Sequence, residues 1–273
     1  ARRKEAAALP VRAPLVIVGL PRTGTTHLHH LLAQVPALRS LPFWESIAPL
    51  PGRLAAHGLP DARRLRARLR LRQIDSMLPL MRAMHAMEVD LPHEELQLSA
   101  LTFRSFFFEG AFRLPRYQHW YTASDHQAAY LDLRRMLQLL QALRGGERWV
   151  LKSPQHREQL DALAAACPGV RVVRTHRDPA RGWVARAEQL LRRCQQQIER
   201  LPREQVFDVE FDDLQRDPVA TVERVLDFAG IPFDGESRRA VQAHLARHRH
   251  GRFGRIDYRF ADLGLDPVAL RER

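Results

Sequence analysis

Lysine is almost missing from this chain. Of 43 basic residues among 273, only Lys4 and Lys152 are lysines, and the rest are arginine. A formal net charge of +12 ordinarily points to nucleic acid, an anionic membrane or another anionic ligand. A nearly uniform arginine habit is what biased codon usage produces, so the bulk charge reads as background composition more than as a binding patch. The same scarcity singles out Lys152, the one lysine kept well inside the chain. Cysteine is scarce too. Cys167 and Cys194 have neither metal-binding nor redox spacing, which excludes a disulfide scaffold and fits a reducing cytoplasm. No run of about 18 apolar residues occurs, and the N-terminal residues carry charge without an apolar signal core, so a soluble cytoplasmic protein without a membrane span is expected. What the chain has in quantity is apolar residues, at 45%, enough for one large α/β domain over 1–273.

The organising stretch is Pro14 to Ala33, PLVIVGLPRTGTTHLHHLLA. Leu15 to Val18 predicts a buried strand, and a turn holding Gly19 and Gly24 leads to a helix whose apolar residues are Leu28, Leu31 and Leu32. A strand, a glycine-bearing turn and a helix N-terminus aim backbone N–H groups and the positive end of a helix dipole at one point, where a phosphate can sit. The turn nearly matches the ATPase loop, but Thr25 stands where that loop carries lysine, so the usual cation for the β/γ-phosphates of ATP is missing. Arg22 supplies a cation elsewhere in the turn.

Further along, Pro36, Pro42 and Pro49 exclude a long helix over Leu38–Leu50, the segment that carries Glu45. Residues 61–75 predict a basic helix with Leu65 and Leu69 on one side; without stacking aromatics it reads as a solvated arginine face, not a nucleic-acid site. Met77–Tyr130 reads as mostly helical, and its aromatics, among them Phe106, Phe107, Phe108, Tyr117, Trp120 and Tyr121, suit either an apolar acceptor pocket or plain core. His85, His93, Glu94 and Glu95 lack the spacing of a zinc site, so no metal is expected. From Leu131 strands and helices alternate: a helix to Leu143, strands at Arg148–Leu151, Val170–Thr175 and Val206–Phe211, and helices at about His156–Ala166, onward from Pro179 to about Ile198, and Pro218–Phe228. Such alternation predicts a three-layer α/β sandwich, a central parallel sheet with helices on both faces. Ligands of such sheets bind at the carboxyl ends of the strands, where Arg22, Lys152 and Arg177 each follow a strand.

In this arrangement the chain resembles the sulfotransferase family that uses 3′-phosphoadenosine 5′-phosphosulfate (PAPS), in its bacterial branch with a P-loop-like fold. The resemblance runs from about Pro14 to Asp266 and rests on Pro21–Thr26, on Leu151-Lys152-Ser153-Pro154-Gln155-His156 and on Thr175-His176-Arg177-Asp178-Pro179. It implies that Arg22, Thr23, Gly24, Thr25 and Thr26 hold the 5′-phosphosulfate, that Lys152 touches the bridging oxygen and the sulfuryl group, and that Arg177 holds the 3′-phosphate. Arg252, Phe253 and Gly254 resemble a loop closing over the 3′ end of the nucleotide. Glu45 lies about where related enzymes place a catalytic base, with His93 in reserve. Residues about 55–145 would form a helical insertion on the acceptor side.

The implied chemistry moves a sulfuryl group from PAPS to a hydroxyl or amine of a small-molecule or glycolipid acceptor and leaves adenosine 3′,5′-bisphosphate (PAP), without metal and without a nucleic-acid partner. Two departures qualify it. Ala185 occupies the position where the family usually has a serine on the 3′-phosphate, a hydrogen bond worth roughly 1.5–3 kcal/mol. The stretch between the helix after Arg177 and the strand at Val206 is also short beside family members. The alternatives are a family member that binds the nucleotide without efficient transfer, or a P-loop nucleotide kinase.

Overall fold

The apolar run after Pro14 becomes an inner strand of a four-stranded parallel sheet. A computed structural model describes residues 6, 8–20, 23–52, 61–78, 87–112, 114–177 and 192–248. Its strands are β1 (Leu15–Gly19), β2 (Val150–Lys152), β3 (Arg171–His176) and β4 (Val206–Glu210), in the order β2-β1-β3-β4. Ile17 stands opposite Lys152, and Gly19 opposite Thr175. The helices are α1 (Thr25–Leu32), α2 (Phe43–Ile47), α3 (Arg63–Met77), α4 (Leu96–Ala100), α5 (Phe106–Ala111), α6 (Pro115–Ala123), α7 (Gln127–Arg144), α8 (Leu160–Ala166), α9 (Phe211–Arg216), α10 (Pro218–Ala229) and α11 (Gly235–Arg247). Residues 192–198 are helical as well.

Side chains alternate across the sheet, as the period of two requires. Leu15 and Ile17 join Val150, Val173 and Val209 in a core completed by α1 and α10, whereas Val16 and Val18 join Leu151 and Val172 in a core completed by α7 and α8. Both faces of the sheet are therefore covered, giving the predicted three-layer α/β architecture. Each fully buried Leu, Ile or Val contributes about 1.5–3 kcal/mol of transfer free energy, which explains strands that are apolar at successive positions.

Several boundaries differ from those the sequence predicts. β2 starts at Val150 because Arg39 takes the rung below it: the Arg39 N–H donates to Arg148 O (2.8 Å) and the Val150 N–H donates to Arg39 O (2.9 Å). The helix expected from His156 begins at Leu160; before it, Ser153 accepts the Gln155 N–H and Pro154–Glu158 winds as a tight 3₁₀ turn that buries His156. β4 ends one residue early, with Phe211 opening α9. Among the described residues of Met77–Tyr130 the mostly helical expectation holds in short pieces, and 87–95 is non-helical. The basic helix forms, but Leu65 and Leu69 are 57% and 50% exposed, while Ala67 and Leu71 pack on Phe43 and Trp44. Position i and i+4 pairs share a face in either case. The α2 aromatics decide which face is covered, and Arg63 and Arg64 stack on Trp44 with guanidinium-to-ring distances of 4.7 and 5.3 Å.

Candidate active site

The turn after β1 is built by threonines. Thr23 Oγ1 donates to Leu20 O (2.7 Å) and meets Thr175 Oγ1 at 2.7 Å, tying the turn to the end of β3. Gly24 adopts φ +84°, a left-handed conformation that glycine takes without strain, and from it the chain enters α1 with no side-chain cap on the first turn. Backbone N–H groups at the start of α1 are thus available to an anion, reinforced by the helix dipole. Gly19 cannot carry a side chain: a Cβ there would lie 2.1 Å from Thr175 Oγ1 and 2.7 Å from Thr23 Oγ1.

Strand order then places cations on both sides of this turn. β2, on one side of β1, ends in Lys152; β3, on the other, is followed by Arg177. The Arg177 guanidinium lies 4.0 Å over the Phe211 ring, and the same ring stands 3.1 Å from where a Gly24 Cβ would be. One aromatic ring therefore separates Arg177 from the turn. Lys152 is 5% exposed and forms a close ion pair with Glu94. Of the remaining expected cofactor contacts, Thr23 is buried and Thr25 and Thr26 begin α1, while Arg22, Ala185, Arg252, Phe253 and Gly254 lie outside the described residues.

Three carboxylates are held in different ways. Glu45, the base expected from its position, is bound by Arg39 at 3.2 and 3.3 Å and by Arg144 at 3.1 and 2.9 Å. Both of its oxygens are occupied, and its side chain is 2% exposed. Arg39 is anchored in turn by donating to Leu140 O (2.7 Å) and by lying 4.2 Å over the Trp149 ring. Burial pushes the Arg39 guanidinium down to about 10, leaving it charged at neutral pH. Glu95 is fully buried and pairs closely with His156 Nε2, whose Nδ1 meets the Tyr130 hydroxyl at 2.7 Å. Glu94, to which the sequence gives only a metal-ligand reading that it sets aside, is the carboxylate that reaches Lys152. Its signal in the sequence was no stronger than an acid two residues after Pro92. His93, the reserve base, is buried with its ring edge-on to Phe43 at 5.0 Å and accepts from the Gln97 amide (3.0 Å).

Two buried imidazoles make the protein acid-sensitive. Burial, reinforced by the Lys152 ammonium, pushes His29 down to about 3. Burial and the neighbouring His248 lower His244 to about 4. Both are neutral when folded, and the unfolded chain takes up their protons first, below about pH 6.5. Stability is therefore complete above about pH 6.5 and falls as pH drops toward 4, by on the order of a few kcal/mol for the pair. A melting-temperature series from pH 7.5 to 4.5 is expected to show that decline, and His244→Gln to flatten part of it. An unchanged slope in that variant would remove His244 from the account.

The aromatic segment borders the strand-end loop. Gln155 accepts from the Phe106 N–H (3.3 Å) and donates to Ser99 Oγ (3.2 Å), linking α4 and α5 to the residues after Lys152. Phe103 and Phe108 stack at 5.7 Å, and Tyr117 packs on Phe108 and Trp120 at 5.4 and 5.5 Å. A separate cavity of about 630 Å³ lies beyond the C-terminal end of α1, lined by Gln34, Arg68, Leu71, Pro92 and His244 among others, and contains none of the expected site residues. Among the described residues no group of His, Cys, Asp or Glu is arranged to hold a metal ion, and no helix is long and apolar enough to cross a membrane.

The profile of the sulfotransferase family matches residues 14–191 and 180–235. Among solved structures the chain is similar to sulfotransferase STF1 from Mycobacterium tuberculosis H37Rv, with 28% identity and a TM-score of 0.80 over 98% of this chain and 78% of that one. It is similar also to sulfotransferase STF9 from Mycobacterium avium, with 26% identity and a TM-score of 0.82 over 98% of this chain and 76% of that one. No curated protein gives a match. With the family profile extending over most of its length, from the β1 turn through Lys152 and Arg177 into α11, the chain belongs to the sulfotransferase family.

Proposed function

We propose that the protein transfers a sulfuryl group from PAPS to a hydroxyl or amine of a small-molecule or lipid-like acceptor, working as a single domain whose residues 55–145 face the acceptor. The observation that carries this reading is the strand order: β1 opens into a glycine-bearing turn at a helix N-terminus, with Lys152 on one side and Arg177 on the other. The residues present fit a nucleotide with phosphate groups at both ends. Thr23 to Thr26 would hold the 5′-phosphosulfate, Arg177 the 3′-phosphate, and Lys152 the oxygen from which the sulfuryl group departs. Sulfuryl transfer resembles phosphoryl transfer in passing through a loose, in-line transition state, so positioned cations supply most of the catalysis. Thr25 in place of the ATPase lysine argues against a nucleotide kinase.

The aromatics of α5 and α6 support an apolar acceptor such as a phenol, a lipophilic alcohol or a glycolipid, since they adjoin the loop after Lys152 through Gln155. Binding of PAP tests the donor site. By linkage, PAP at 100 times its dissociation constant stabilises the fold by about 2.7 kcal/mol, and ATP at the same concentration is expected to stabilise it far less. Equal stabilisation by the two nucleotides, or none by PAP, overturns the reading. PAP binding without transfer to any acceptor identifies the weakened family member, the outcome to which the missing serine hydroxyl at Ala185 points.

A further inference from the structure

We propose that Glu94 is the group that takes the proton from the acceptor, and that Lys152 occupies it until the sulfate donor arrives. The inference rests on the sulfuryl-transfer reading above and assigns a residue that reading leaves open.

The residues on either side of Glu94 are pinned, and two neighbouring acids take different partners. The His93 N–H donates to Leu41 O (2.7 Å), and the Leu98 and Ser99 N–H groups donate to Glu95 O (3.0 and 3.1 Å). The Glu95 carboxylate is drawn into the core by His156, itself fixed by the Tyr130 hydroxyl. Glu94 is left to face Lys152 at the carboxyl end of β2, beside the β1 turn. Exposure separates the candidates. The Glu94 side chain is 16% accessible, whereas that of Glu45 is 2% and that of Glu95 is 0% accessible. Only Glu94 among these three combines an opening to solvent with contact to the lysine that would hold the leaving oxygen.

A proton acceptor must reach the hydroxyl as it attacks sulfur, and it must not be tied to a cation at that moment. Lys152, by changing partner, takes its positive charge off the carboxylate at that moment. When the donor is bound, the ammonium moves from Glu94 to the oxygen bridging phosphorus and sulfur. The acceptor oxygen then forms its bond to sulfur, the sulfur–bridging-oxygen bond breaks with its electron pair remaining on the phosphate, and the acceptor proton passes to the Glu94 carboxylate. His29 lies close enough to Lys152, Glu94 and His93 to interact electrostatically, and it is neutral there.

The partner exchange makes two effects of one substitution run in opposite directions. In Glu94→Gln the lysine loses its competitor, so the dissociation constant of PAP, measured by calorimetry, is expected to fall about threefold or more. The kcat for transfer of ³⁵S-sulfate from PAPS to 2-naphthol is expected to fall about 100-fold, within the range for general base catalysis. The acidic limb of the pH–rate profile is expected to flatten, and Glu94→Asp to restore part of kcat. A Glu94→Gln enzyme that turns over within threefold of wild type, or that binds PAP more weakly while keeping its melting temperature, overturns the proposal. The affinity measurement needs no acceptor and decides the exchange even if 2-naphthol is not sulfated. Failure of wild-type protein to bind PAP refutes the donor reading instead, so the two failures are distinguishable.

Discussion

Lys152→Ala is expected to lower kcat for sulfuryl transfer by about 10³-fold while changing the PAP dissociation constant by less than about tenfold, because one cation placed on the leaving oxygen of a loose transition state acts mainly there. The amine is 5% exposed and sits on a strand whose register to β1 is fixed at Ile17. Its backbone is therefore held in place, and only the ammonium has to exchange its Glu94 partner for the donor. Lys152→Arg is expected to rescue poorly, since a planar guanidinium does not replace a compact ammonium at a single oxygen. Circular dichroism and PAP-dependent melting separate loss of chemistry from loss of fold. A kcat within tenfold of wild type in a folded, PAP-binding Lys152→Ala protein would move the leaving-oxygen role to another cation, with Arg22 next in line.

Glu45→Ala is expected to have the largest effect on stability, a loss of about 3–5 kcal/mol, because it strands the buried guanidinium of Arg39. Arg39 is 5% exposed, and its remaining acceptors are backbone carbonyls, Leu140 O and Gly145 O. For a chain of this size the loss lowers the melting temperature by roughly 10 °C. Arg144 is more exposed and loses less, because solvent screens it. The paired change Arg39→Met with Glu45→Leu is expected to regain most of the stability, as buried ion pairs replaced together by apolar residues commonly do. Glu45→Gln tests the catalytic alternative. If it abolishes transfer with the melting temperature intact, Glu45 is the base that its sequence position implies; if stability falls and kcat in the folded protein holds within tenfold, its carboxylate is a clamp between α2 and the start of β2.

Much of the frame was legible because it depends on local pattern. The runs at Leu15–Val18 and near Val172 and Val206 could only be buried strands, and glycine at 145 and 230 marked the ends of α7 and α10, both with positive φ. Lys152 stands out both as one of two lysines and by its place at the end of a strand. What the sequence could not show was the pairing of side chains far apart in the chain. Glu45 meets Arg144 across 99 positions, and Glu94 meets Lys152 across 58. With 43 basic residues available, a carboxylate in this chain has many plausible partners, and only packing selects one. The covered face of α3 is hidden in the sequence for the same reason: Leu65 and Ala67 are equally able to begin a stripe, and the α2 aromatics choose the smaller residue.

The collar of small residues around Gly19 carries a further consequence. A strand with one wet face cannot slip by one position without exposing its apolar residues, but β1 is apolar on both faces, so burial hardly distinguishes the correct pairing from its neighbours. Discrimination falls to shape. Thr175 fits opposite Gly19 because no Cβ intrudes, and its hydroxyl reaches Thr23; one place to either side, the same hydroxyl would face Val18 or the turn. These atoms act as a key that indexes β3 against β1 and thereby fixes how far Arg177 stands from the turn. The aim of a distant cation is thus set by the width of a hydrogen atom in the middle of the sheet's edge.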